Sequence, residues 1–218
     1  MGRKPLKKHR KKDEKLTEQW LSRILPVFQK EGFKDFTMDE VVKMVGVSKA
    51  TFYKYFSSKE KLIDAIIQWK LNEIGKFQDQ LLDASLSYYD RYFNAIHVTA
   101  LATSQISNKL LEDLKNVYPE KWKAVDEFQN FAVNLLENFY TEGVRDGHLI
   151  DLNPKLIAIT DHIFFSHMSD PQFLAKNGLT LHEAFIGYIT LKNEGIIRHK
   201  RGVETINKRI SEIDGAFS

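Results

Sequence analysis

Apolar residues recur at three- and four-residue intervals through almost the whole chain, and no run alternates apolar and polar positions for long enough to predict a strand. After residue 57 this period predicts helices at about 58–81, 86–106, 108–116, 120–145, 154–168 and 180–198. The breaks between them have local causes. Pro119 interrupts one connection, Gly147 follows a helix ending near Asp146, and Asn153 and Pro154 supply an N-cap and first helical residue. Pro171 and the Asn177-Gly178 pair precede the last long helix. Near the N-terminus, Leu16, Trp20, Ile24, Val27 and Phe28 predict a helix from about Lys15 to Glu31. Pro26 lies inside it, so a kink or a late start is expected. The fold class is therefore all-α, and the segment from Arg201 has too little apolar content to assign an element.

Between Thr37 and Lys59 the pattern compresses into two short helices joined by a tight turn, with a third starting at once. Thr37 with Glu40 three places on has the form of a capping box, and Met38, Val41, Val42 and Val45 face a core. Gly46 supplies the positive backbone dihedral of a sharp turn, Val47 plugs the space between the helices and Ser48 caps the next one. From Ser48 to Phe56 the second helix carries Lys49, Thr51, Tyr53, Lys54 and Tyr55, donors suited to phosphates and base edges. Ser57, Lys59 and Glu60 then open a further helix whose free N–H groups favour anions. This is the layout of a helix-turn-helix.

Charge follows the same division. Residues 1–60 hold 15 Lys+Arg against 8 Asp+Glu, whereas the rest hold 17 against 21, so the net charge of +3 hides a basic N-terminal part. A basic domain beside a slightly acidic one is the asymmetry expected when one part binds a polyanion. Met1–Lys12, with seven Lys and Arg, reads as a disordered basic tail that either lies along DNA or simply solubilises the chain.

The segment resembles the DNA-binding region of the TetR family of bacterial transcriptional regulators. Gly46, Val47, Ser48, Lys49, Thr51, Tyr53, Tyr55, Phe56, Ser58, Lys59, Glu60 and Leu62 fall on that family's pattern, with Ala50 where glycine is common. The resemblance implies a three-helix DNA-binding domain over residues 13–60, a helical effector-binding and dimerisation domain over 61–200, and a C-terminal segment at 201–218. It implies a homodimer on a palindromic double-stranded operator, with Thr37 and Lys59 holding phosphates, Ser48, Lys49 and Tyr53 positioning the helix, and Ala50, Thr51 and Lys54 meeting base edges. Tyr55 and Phe56 divide between phosphate contact and core. The last two long helices would form the dimer interface through Ile159, Ile163, Ala184, Phe185, Tyr188 and Leu191.

In the larger part, aromatic residues crowd 86–145, and most read as core. An effector pocket needs polar groups inside such a lining. Candidates for the lining are Phe93, His97, Thr103, Phe131, Asn134, Asn138, His162 and Phe165. A metal site is not expected, since His162 and His167 are five apart where chelation from one helix face wants three or four. No cofactor is expected either: the chain has no cysteine, glycine-rich phosphate loop, G-x-S-x-G elbow or H-E-x-x-H motif. Paired carboxylates such as Glu112-Asp113 read as solvated helix faces. With no leader-like N-terminus and no apolar run approaching about 18 residues, a membrane partner is not expected and the cytoplasm is the expected compartment.

The leading reading is thus a ligand-responsive repressor that is not an enzyme. Its rivals are a DNA-binding protein without an effector, which a larger domain lacking a cavity would favour, and an all-α enzyme or carrier, for which no motif speaks.

Overall fold

The computed structural model describes residues 6–168, 170–198 and 200–215. Twelve α-helices account for about 80% of them: α1 (Leu6–Glu31), α2 (Met38–Val45), α3 (Lys49–Tyr53), α4 (Lys59–Gly75), α5 (Phe77–Leu82), α6 (Tyr88–Ser104), α7 (Asn108–Val117), α8 (Trp122–Arg145), α9 (Pro154–Met168), α10 (Pro171–Asn177), α11 (Leu181–Ile196) and α12 (Lys200–Gly215). A single antiparallel bridge joins Leu149 to Ile197, and no strand forms among the described residues.

Several boundaries depart from the sequence reading. The backbone of Leu6–Lys12 is helical rather than disordered, continuing α1. Lysine and arginine are good helix formers, and the packed half of α1 provides the nucleus from which they propagate. The Met1–Pro5 part of the expected tail lies outside the described residues, as does 216–218. Pro26 does not end α1. Pro26 and Ser22, whose carbonyl loses its helical donor, are both exposed, so water can take the donor's place. The helix expected at 58–81 divides at Gly75 and Lys76, where glycine weakens the helix and the Lys76 N–H closes back on Glu73. The helices α10 and α12 are additions to the expected set; each is too short or too polar for its periodicity to stand out.

Two main apolar clusters form. Trp20, Ile24 and Phe28 of α1 pack with Val41, Val42, Phe52, Phe56, Leu62 and Ile63, closing the N-terminal helices into one core. Phe77, Tyr88, Tyr92, Phe139, Tyr140, Phe185 and Ile189 belong to a second core made by α5, α6, α8, α9, α11 and α12. The helix α4 takes part in both regions, with Leu62, Ile63 and Ile66 in the first and Leu71 and Ile74 facing a cavity in the second. Likewise α7 inserts Leu110 and Leu114 into the first core.

Candidate functional site

The N-terminal helices hold their turn by local capping. Glu40 N–H donates to Thr37 Oγ1 at 3.3 Å, while the Glu40 carboxylate accepts the Thr37 N–H and hydroxyl, each at 2.7 Å. The backbone bond from Thr37 is the largest of the causes that hold Glu40 below the ordinary glutamate range. Gly46 then turns the chain at φ 76°. Ser48 caps α3, accepting the Thr51 N–H at 3.1 Å and sharing a 2.8 Å hydrogen bond with the Thr51 hydroxyl. Phe52 is fully buried and anchors α3 against Trp20.

The opposite face of α3 is open. Ser48, Lys49, Ala50, Tyr53 and Lys54 are exposed and Thr51 is half-buried, so six of the nine residues expected to meet DNA share one short surface. The helix itself is shorter than the expected 48–56: it spans Lys49–Tyr53, with Lys54 at its C-cap. Lys49 is paired with Asp39 at 2.6 Å, and that hydrogen bond raises its pKa.

The other three residues are engaged with protein groups. Thr37 is committed to its capping box. Tyr55 stands edge-on to Trp20 and donates its hydroxyl to Asp13 at 3.1 Å; burial and that bond raise its pKa. Lys59 donates to the Lys34 carbonyl at 2.6 Å, and burial lowers its pKa against the opposing pull of Asp35, Asp113 and Glu40.

The larger part contains a cavity of about 170 Å³. Leu71 and Ile74 reach it from α4, Thr99 and Thr103 from α6, Phe128 and Tyr140 from α8, Asp161, His162 and Phe165 from α9, and Phe185 and Lys192 from α11. Of the residues expected to bind a ligand, Thr103, His162 and Phe165 do line it. The remaining five do not. Phe93 is buried beneath the Arg209 guanidinium, 3.5 Å from its ring centre, and half-buried His97 lies beside it. Phe131 is exposed and borders an outer groove with Gly75 and Phe128. Asn134 and Asn138 are exposed on α8.

The cavity lining includes Tyr140, Asp161 and Lys192, which belong to a polar cluster the sequence reading missed. Asp161 is 1% exposed and ion-paired to Lys192 at 2.8 Å. Tyr140 and Tyr188 donate to the same carboxylate at 2.6 and 2.8 Å, and Lys192 also donates to Tyr140 at 2.8 Å. Burial and the adjacent Asp161 charge push the phenols of Tyr140 and Tyr188 well above the ordinary tyrosine range. A usable signal exists: Ile157, Asp161 and Phe165 follow at four-residue spacing, which places a carboxylate within an apolar helix face.

Asp113 corrects a second reading. Rather than lying on a solvated face, it is buried and accepts the N–H groups of Phe33 and Lys34 between α1 and α2. The expected interface residues also separate. Ile159, Ile163 and Leu191 are exposed on α9 and α11, together with Leu156. Ala184 and Phe185, by contrast, are buried within the chain, and Tyr188 turns its hydroxyl to Asp161. On these helices the apolar residues cover two faces, and sequence period alone does not say which face packs inward.

Among the described residues no helix is long and apolar enough to cross a membrane, and no three His, Cys, Asp or Glu side chains are grouped as a metal would require.

Residues 21–66 match the family model for bacterial regulatory proteins of the tetR family. The chain is 22% identical over 180 residues to the uncharacterised HTH-type transcriptional regulator YvaF of Bacillus subtilis (strain 168), covering 81% of this chain and 93% of that protein. A TetR-family transcriptional regulator from Marinobacter aquaeolei VT8 superposes with a TM-score of 0.64 at 17% identity, covering 89% of this chain and 98% of that one. A gamma-butyrolactone receptor described as ArpA-like superposes with a TM-score of 0.63 at 16% identity, covering 91% and 98% of the two chains. The solved structures thus share the fold of this chain, and its residues 21–66 carry the family's N-terminal motif.

Proposed function

This chain is a TetR-family transcriptional regulator, and on that premise we propose that it is a homodimeric repressor released from a palindromic operator by a small-molecule effector. The observation that carries the proposal is the dual engagement of α4. Its first half packs in the core behind α3, and its second half gives Leu71 and Ile74 to the cavity wall. An occupant that favours one position of α4 would therefore bias the spacing of two α3 helices in a dimer. Such coupling works only through a difference in affinity between the two arrangements.

The proposed reading surface is the open face of Ser48, Lys49, Ala50, Thr51, Tyr53 and Lys54. Base edges fall to Ala50, Thr51 and Lys54, which lie around the exposed turn of α3. Lys59, Thr37 and Tyr55 act through the protein groups they hold: each positions the loop or helix start around α3. Dimerisation is proposed through the solvent-facing stripe of Leu156, Ile159, Ile163 and Leu191, whose apolar surface is otherwise left to water.

A filled larger domain would favour a DNA-binding protein without an effector; the apolar cavity supports the responsive reading instead. The test is fluorescence anisotropy of a selected duplex in the presence of compounds shown by thermal shift to bind the protein. Bound compounds should weaken the complex by roughly 5- to 150-fold. Compounds that bind and leave DNA affinity unchanged would contradict the effector role.

A further inference from the structure

We propose that the cavity takes the hydrocarbon part of a small amphiphile, about six carbons as a chain or a ring, while the polar end stays in the water-facing groove between α4, α5 and α8. The proposal rests on the effector reading for the cavity's role, and adds the chemistry of the occupant. The size follows from the volume: the space is about 170 Å³, and an apolar cavity of about 150 Å³ is known to admit benzene.

The hydrocarbon part follows from the lining. The cavity surface is almost wholly apolar, with Leu71, Ile74, Phe77, Ile96, Phe128 and Leu136 among the residues that bound it. The polar residues of the lining spend hydrogen bonds on protein groups. Tyr92 donates its hydroxyl to Asn193 at 3.0 Å, Thr99 and Thr103 donate to the Ala95 and Thr99 carbonyls, each at 2.9 Å, and Tyr140 and Lys192 both donate to Asp161. The Nδ1 of His162 has no partner, but it is buried and has almost no accessible surface of its own. A methylene placed in this space leaves water for an apolar wall and gains by it. A charged head drawn in after it loses its hydration for a surface that gives little back.

The place of the polar end follows from the opening. The cavity is half-open, so a head group need not be buried with the chain that carries it. Leu71 and Phe128 line both the cavity and the outer groove, and the two spaces adjoin at these side chains. Gln68, Asn72, Lys76, Asp79 and Glu127 line the groove as well. Lys76 is ion-paired with Glu73 at 2.6 Å and Glu127 with Lys123 at 3.5 Å, both pairs at the surface. A head group of either sign therefore meets water, amides and charges that are already balanced, and selection falls on the hydrocarbon rather than on the head.

Methyl NMR titration of the full chain at neutral pH with butanol, pentanol, hexanol, hexanoate and hexylammonium tests the proposal. From butanol to hexanol each added methylene should tighten binding roughly fourfold. Hexanoate and hexylammonium should bind within about tenfold of hexanol, since their charge stays hydrated. The hexyl probes should all shift the methyls of Leu71, Ile96 and Leu136, which line the cavity. His162→Phe should leave hexanoate affinity unchanged; a loss confined to hexanoate would place the carboxylate inside, against the imidazole, and overturn the proposal. Ala132→Phe fills the space from its wall and should abolish binding of every probe; if that variant does not fold, the chain-length series and the methyl shifts decide. Affinity independent of chain length, a charged probe more than about tenfold from hexanol, a folded Ala132→Phe that still binds, or no binding at all overturns the proposal. A labelled operator in the same titrations separates the two readings. Should hexanol bind without loosening DNA, the occupant chemistry stands and the effector role falls.

Discussion

Asp113 holds Phe33: its Oδ2 accepts the Phe33 N–H at 2.6 Å, and the neighbouring Lys34 N–H at 2.9 Å, across the boundary between α7 and the loop that feeds α2. The loop leaves α1 through Gly32 at φ 78°, where a Cβ would overlap the Asp113 carboxylate. Glycine is thus required twice there, by backbone and by space. Asp113→Ala should strand two N–H groups, one of them buried, and cost about 1–3 kcal/mol. Asp113→Asn, which keeps an acceptor oxygen, should cost less. Urea unfolding checks both, and equal midpoints for wild type and Asp113→Ala would remove Asp113 from the account.

Lys49 meets the solvent already paired with Asp39. Asp39→Asn should release it for phosphate, tightening binding to all duplexes and steepening the log–log salt dependence by about 0.9 for each further phosphate neutralised. Salt titrations of the variant on specific and random DNA check this. Weaker binding to both would mean that Asp39 positions Lys49 for the complex.

Lys54 stands exposed at the end of α3, where its ammonium is open to a base edge. Lys54→Ala should cost about 1–3 kcal/mol on a preferred duplex and little on random DNA, with selectivity lost at one base pair per half-site. A uniform loss on every sequence would make Lys54 a phosphate contact and pass base reading to Ala50 and Thr51.

The burial pattern divides the interface candidates into two classes. Ile163→Asp and Leu191→Asp place charge on exposed positions and should yield folded monomers with weakened operator binding. Phe185→Asp places it in the core beside the cavity and should unfold the protein instead. Sedimentation with circular dichroism distinguishes these results. A dimer that survives both surface charges would move the interface elsewhere.

The α2 cap has a pH signature. Glu40 titrates below its ordinary value because Thr37 bonds its ionised form. A depressed folded-state pKa gives stability that is present above the unfolded pKa and is lost as pH falls through the folded one. Glu40→Gln should therefore be less stable than wild type near neutrality, and the two should converge in acid below the depressed pKa. A gap of constant size through the acid range would show that the carboxylate's charge does not support the cap.

How much of this is legible in the sequence follows from the residues themselves. The turn from Thr37 to Lys59 is readable because caps and glycine act locally: Glu40 on Thr37, Thr51 on Ser48 and the left-handed Gly46 all form as their spacing implies. The fold class is readable from period. What the period does not carry is which face of a doubly apolar helix packs inward, so Phe185 reads as an interface residue and Phe131 as a pocket residue, the reverse of their burial. Nor does it carry long-range polar pairing. Asp113 meets Phe33 across 80 positions and Lys192 meets Asp161 across 31, and both pairings arise only once the helices have packed. The amphipathic α12 escapes the period because its buried face consists of few residues, Val203 and Ile206 among them.

Selection of bound duplexes from a random pool by the full chain, followed by sequencing, tests the central claim most directly. Two α3 helices related by a dimer axis should enrich an inverted repeat, its half-site centres about 10–10.5 base pairs apart or a multiple of that. Enrichment of a single unrepeated motif, or of no sequence at all, would contradict a dimer that reads DNA through the Ser48–Lys54 surface.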